Sequence, residues 1–77
     1  MMYFRSIEPS RNRYRWYALG LQPDLFGGVN LVHQWGRIGN KGGSRRLEHF
    51  TDLNAAELAL QAAAARRTKR QYVLVSS

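Results

Sequence analysis

Apolar and polar positions alternate through most of the first fifty residues and then change period. Residues 1–8 (MMYFRSIE) are β-prone and predict an N-terminal strand, stopped by a turn at Pro9, Ser10 and Asn12. Residues 13–22 (RYRWYALGLQ) predict a second strand. Alternation puts Tyr17, Leu19 and Leu21 on one face and Tyr14, Trp16 and Ala18 on the other. Pro23-Asp24 and Gly27-Gly28 bound a loop, with Leu25 and Phe26 expected to tuck back beneath it. Residues 29–38 (VNLVHQWGRI) predict a third strand, Gly39-Asn40-Lys41-Gly42-Gly43 a hairpin loop, and residues 44–50 its antiparallel partner. Parity is awkward in the third strand. Leu31 and Trp35 share a face with His33 and Arg37, whereas Val32 and Ile38 share the other, so a bulge near Gly36 is expected.

The period shifts at Thr51-Asp52. Either residue can cap a helix running from Ala55 to about Lys69, an alanine-rich stretch without glycine or proline. Leu53, Ala56, Leu60, Ala63 and Ala64 fall on one stripe, small enough for the helix to lie close to a sheet. A last strand, Tyr72 to Val75, closes an edge. The expected class is α+β: a small antiparallel sheet of four to five strands with one α-helix packed on it.

At 77 residues the chain is read as one domain spanning 1–77. It has no cysteine, which removes disulfides and thiolate zinc sites, and its two histidines make a poor metal set. His33 and His49 are therefore read as ordinary strand residues, with no metal and no cofactor expected. The carboxylates Glu8, Asp24, Glu48, Asp52 and Glu57 are scattered, Asp24 suiting a turn and Asp52 a helix cap. Neither a nucleophile elbow nor a P-loop is present. The expectation is a protein that is not an enzyme and has no catalytic residues. An apolar run long enough to span a membrane and a secretory h-region are both lacking, so a cytoplasmic protein without membrane contact is expected.

Charge changes the picture most. Twelve Lys and Arg face five Asp and Glu, a net charge of +7, and ten of the twelve cations are arginine. Arginine pairs bidentately with phosphate and stacks on bases, so this balance points to polyanions. The cations form three groups of four: Arg5, Arg11, Arg13 and Arg15; Arg37, Lys41, Arg45 and Arg46; and Arg66, Arg67, Lys69 and Arg70. The central group surrounds the glycine hairpin just after Trp35-Gly36. An indole, guanidinium groups and open loop amides together suit a nucleotide, the ring for stacking and the cations for phosphate. Trp16, flanked by Arg13 and Arg15, either extends that platform or covers the sheet. The basic helix end either balances the helix dipole or reaches phosphate.

Trp35-Gly36-Arg37-Ile38-Gly39, followed by Gly42 or Gly43, resembles the signature of the WGR domain family. Asn12 with Tyr17, Leu19 and Leu21, then Asp24-Leu25-Phe26-Gly27, Phe50, Ala56, Leu60 and Tyr72 agree in order and spacing over about residues 10–75. Gln71 departs from the pattern, since many members have glycine before the tyrosine. The resemblance implies a WGR-like sheet with one helix. It is similar to the domain that binds DNA near strand breaks in DNA-dependent poly(ADP-ribose) polymerases. It makes Trp35 the residue packing on a terminal nucleotide and Arg37 a DNA or interdomain contact; Lys41, Arg45 and Arg46 as phosphate binders follow from local charge. The expected partner is nucleic acid, DNA ahead of RNA, with low sequence specificity and a preference for ends or nicks. RNA binding and a protein partner docked on the Trp35–Arg37 surface are the rival readings. Monomer and homodimer are both compatible.

Overall fold

A computed structural model describes all of residues 1–77. Five strands, β1 (Met2–Glu8), β2 (Arg13–Pro23), β3 (Val29–Arg37), β4 (Ser44–Phe50) and β5 (Val73–Ser76), form one antiparallel sheet in the order β4-β3-β2-β1-β5. Three consecutive hairpin connections build β1 to β4, because each linker is short and rich in Gly, Pro, Asn or Ser. The helix α1 (Leu53–Lys69) then carries the chain from the β4 edge across to the β5 edge. Asp52 is its cap: the Asn54 amide donates to the Asp52 carboxylate at 3.2 Å.

One sheet face carries Phe4, Tyr17, Leu19, Leu31, His33 and Trp35, and α1 lies across it. Ala56 and Ala63 are the buried helix positions, so the helix backbone sits close to the strands. Phe4, Leu19, Ala63 and Tyr72 form the packed core, with Met2, Tyr17, Leu60 and Ala64 against it. Leu53, assigned to the buried stripe from its spacing, is instead half exposed. It is the first residue of α1 and stands ahead of the turns that reach the core.

No bulge interrupts β3. Its register with β2 runs unbroken from Pro23↔Val29 to Arg15↔Arg37. The parity conflict disappears because the core face accepts a histidine: His33 is 1% exposed, yet both ring nitrogens have partners. The helix ends in the pattern that glycine usually serves. Gln71 is left-handed (φ 68°), its amide donates to the Thr68 carbonyl, and the Tyr72 amide donates to the Arg67 carbonyl. The turn therefore forms without the glycine of the family pattern, at some backbone strain.

The β2–β3 loop overturns the expectation for Leu25 and Phe26, which are 97% and 98% exposed. Asp24 accepts from the Phe26 amide (2.8 Å) and from Asn30 Nδ2 (3.0 Å), and the Asp24 and Gly28 main chains are bonded across the loop. This closed turn holds the two apolar side chains outward, past the end of the sheet. The Phe26 amide foremost, then Asn30 and, less, the charge of His49, keep the Asp24 carboxyl below its ordinary titration range against a small opposing effect of desolvation.

Candidate nucleic-acid interface

Strand directions collect the cations at one end of the molecule. The β1–β2 turn, the β3–β4 hairpin and the C-terminus of α1 all lie at that end, while the β2–β3 loop and the start of α1 lie at the other. Every Lys and Arg sits level with His33 or beyond it toward the basic end, since Arg46 pairs with His33 in the sheet register. Four of the five carboxylates, Asp24, Glu48, Asp52 and Glu57, lie toward the opposite end. Only Arg11 and Arg46 have a carboxylate partner, Glu8 at 3.7 Å and Glu48 at 3.4 Å.

At the basic end Tyr17 and Trp35 are cross-strand neighbours on the helix-covered face. Their rings stack 5.8 Å apart at 11°. Arg67 reaches down from α1 with its guanidinium 4.2 Å from the Tyr17 ring centroid and 5.4 Å from that of Tyr72. On the far side Arg13 lies 5.6 Å from the Tyr72 ring. The result is a row across β3, β2, α1 and the turn that follows it: Trp35, Tyr17, Arg67, Tyr72, Arg13. Trp35, Tyr17, Arg67 and Tyr72 border an open cleft of about 560 Å³, rimmed by Arg15 and Arg37. Trp35 is half buried, so one part of the indole is anchored and the rest faces the cleft.

Tyr17 is held from beneath. Its hydroxyl lies 3.0 Å from His33 Nδ1, and His33 Nε2 lies 2.8 Å from Glu48 Oε1. A carboxylate can only accept, which places the proton on Nε2 and leaves Nδ1 to accept from the tyrosine. The buried histidine thus orients one ring of the platform. Arg46 also reaches Glu48, which draws its charge toward the protein.

The central basic group does not stay together. Arg45 and Arg46 alternate onto opposite faces of β4, and Lys41 stands exposed in the hairpin loop. Arg37 folds back to the first turn: Nη2 donates to Asn12 Oδ1 (3.0 Å), Nη1 to the Asn12 carbonyl (3.2 Å), and the guanidinium lies 5.3 Å from the Tyr14 ring centroid. It stays exposed at the rim while fastening two turns together. Trp16 is on the face opposite Trp35, its indole laid on Gly36. A Cβ there would meet Trp16 Nε1 at 3.0 Å, so Gly36 is the seat of that ring. Trp16 borders the main cleft and also a smaller one beside Gly43, Ser44 and Arg45.

The chain alone does not mark Arg67 and Tyr72 as site residues, nor the role of His33. Arg67 and Tyr72 are the two positions joined when a helix ends in a left-handed residue at Gln71. The chain has no glycine at 71 to mark that ending, and the tyrosine after a basic helix end is its one trace in the sequence.

A five-stranded antiparallel sheet under one helix, with an aromatic and arginine-lined cleft at one end, defines a small α+β binding module. The chain matches the model of the WGR domain over residues 1–77 and belongs to that family, a nucleic-acid-binding type of domain. It is similar to an uncharacterized protein, y4dW, of Sinorhizobium fredii (strain NBRC 101917 / NGR234), with 45% identity over 49 residues, 64% of this chain and 24% of that protein. The aligned part is thus about a quarter of that relative's length. No solved structure matches the chain. No helix is long and apolar enough to cross a membrane.

Proposed function

We propose that this domain is a non-enzymatic module that binds DNA, ahead of RNA, with low sequence specificity and a preference for ends or nicks. The observation that carries the reading is the half-exposed Trp35 stacked on Tyr17 in a cleft rimmed by Arg15 and Arg67, neither of which has a carboxylate partner. An exposed terminal base or sugar, unlike one stacked inside a duplex, can lie on that indole, and the arginines then meet the adjoining phosphates. Arg37 acts mainly by holding the hairpin against Asn12 and adds its charge to the rim. Lys41, Arg45 and Arg46 add long-range attraction from separate positions rather than a shared phosphate site. Low specificity follows from the form of the surface, because α1 packs on the sheet and is not presented to a groove.

The test is a titration of wild type and Trp35→Ala against blunt duplex, nicked duplex, single-stranded DNA and matched RNA at several salt concentrations. With about five phosphates engaged, log K falls against log salt with a slope of about −4.5. Binding that favours ends or nicks and collapses without Trp35 supports the reading. A slope shallower than about −1, with no dependence on Trp35, contradicts it.

A protein partner is favoured by a different observation, the outward Leu25–Phe26 tip, which carries no phosphate-binding cation. Its mark is a pull-down that survives nuclease and high salt and is lost in Phe26→Ser.

A further inference from the structure

Beyond Tyr72 and away from the Trp35 cleft lies a second recess, of about 350 Å³, lined by Arg11, Arg13, Lys69, Arg70 and Gln71. Four cations converge there, and the only carboxylate facing any of them is Glu8, 3.7 Å from Arg11 on an exposed surface. Like charges gathered this way repel one another, and the helix end requires no such number. The exposed carbonyl at that end is already taken: Arg13 Nη2 donates to the Arg70 carbonyl at 3.0 Å, while the Arg70, Gln71 and Tyr72 amides close the last turn. Lys69 and Arg70 keep their side-chain charges for something else. Arg13 adds a second, independent sign. Its guanidinium is fixed by Tyr72 on one side and the Arg70 carbonyl on the other, yet Nε is buried without a hydrogen-bond partner. An N–H donor in that condition is costly, and a small rotation of the guanidinium would bring it to an anion in the recess.

We infer that this recess is a phosphate site, and that it takes phosphodiester groups flanking the nucleotide held at Trp35. The inference rests on the nucleic-acid reading above for its ligand, and on Arg13, Lys69 and Arg70 for its place. Arg13 and Arg15 are two residues apart on β2, about 7 Å along the strand. The row Trp35, Tyr17, Arg67, Tyr72, Arg13 therefore leads without a gap from the stacking cleft into the recess. A strand whose terminal nucleotide lies on Trp35 passes Arg67 and delivers its next phosphates to Lys69, Arg70 and the Arg13 guanidinium. Gln71 serves by its backbone: the left-handed turn sets Lys69 and Arg70 beside Arg13.

Two measurements test the site and separate its failure from that of the nucleic-acid reading. The first is a titration with inorganic phosphate followed by NMR of arginine side-chain N–H groups. The Arg13 Nε–H signal moves in wild type, and moves far less in Lys69→Gln/Arg70→Gln; no movement in wild type overturns the site. The second compares a dinucleotide with an eight-residue DNA strand. Against the longer strand the double variant binds about tenfold more weakly at low salt, with the salt slope reduced by about 1.4, two phosphates' worth. Its affinity for the dinucleotide stays within about twofold, and a charge-keeping Lys69→Arg/Arg70→Lys variant, which leaves the helix dipole equally balanced, behaves as wild type. Equal long-strand affinity and slope in wild type and Lys69→Gln/Arg70→Gln, with Trp35→Ala still impaired, overturns the recess and leaves the stacking site standing. Phosphate binding at Arg13 with no salt-sensitive DNA binding at all retains an anion site and removes the nucleic-acid reading.

Discussion

The two ends of the sheet are built to opposite rules. At the basic end the aromatic rings are anchored: half-buried Tyr17 rests on His33, half-buried Trp35 on Tyr17, and Tyr72 is part of the core itself. Charge there is abundant and mostly unpaired. At the other end Leu25 and Phe26 are fully exposed on a turn that touches none of the core, and the nearest charges, Asp24 and Asp52, are negative and occupied with main-chain amides. About 20 Å of β3 separates Val29 from Trp35. An exposed apolar group therefore has two meanings in one small domain. Beside free cations and a rigid backing it offers a place for a nucleotide; beside carboxylates it would repel a phosphate backbone.

The sharpest contrast concerns stability. Leu19→Ala, fully buried beneath α1, is expected to cost about 2–5 kcal/mol in chemical denaturation. Phe26→Ser, equally apolar in the sequence, should change stability by no more than about 0.5 kcal/mol. Binding should divide the ends the same way. Trp35→Ala removes stacking worth about 1–3 kcal/mol, a loss of about 5- to 150-fold in affinity for DNA ends, whereas Phe26→Ala stays within about twofold. Equal losses from the two substitutions would erase the distinction. The backing of the platform is tested by Tyr17→Phe, which keeps the ring but leaves His33 Nδ1 without a donor. It should lower stability by about 1–3 kcal/mol, read from thermal unfolding. In the opposite direction, Gln71→Gly relieves a left-handed residue and should gain up to about 1 kcal/mol in the same measurement.

The smallest effect is local and depends on pH. The Asp24 carboxyl titrates lower in the folded chain than in the unfolded one, chiefly through the Phe26 amide. Its contribution is complete above the unfolded value and is lost as pH falls through the lowered folded value. Protection of the Phe26 amide, taken relative to its intrinsic exchange rate at each pH, should therefore fall in acid, and Asp24→Asn should flatten that response.

Much of this architecture was legible in the chain. Alternation placed Tyr17, Leu19 and Leu21 together and Trp16 opposite them, and turn residues located every hairpin, because short-range sterics determine both. The Trp35-Gly36-Arg37 motif lies at the end of the sheet that holds the aromatic and arginine-lined cleft. What period two does not contain is how far the helix reaches. Spacing puts Leu53 on the buried stripe and apolarity suggests cover for Leu25 and Phe26, yet all three stand where α1 and the sheet stop. Clusters in sequence also differ from clusters in space. Arg45 and Arg46 are adjacent in the chain and fall on opposite faces, while Arg13, Lys69 and Arg70 come together only when β2 meets the end of α1. The sequence shows His33 only as a strand residue, since its partners Tyr17 and Glu48 arrive from the two neighbouring strands.

The most direct test of the account is a map of backbone and side-chain NMR shifts as a short duplex with a free end is added at low salt. The account predicts changes at Trp35, Tyr17, Arg67 and Arg13, spreading to Lys69 and Arg70, with Leu25 and Phe26 unmoved. Changes centred on Leu25 and Phe26, or a uniform drift with no focus at Trp35, would contradict it.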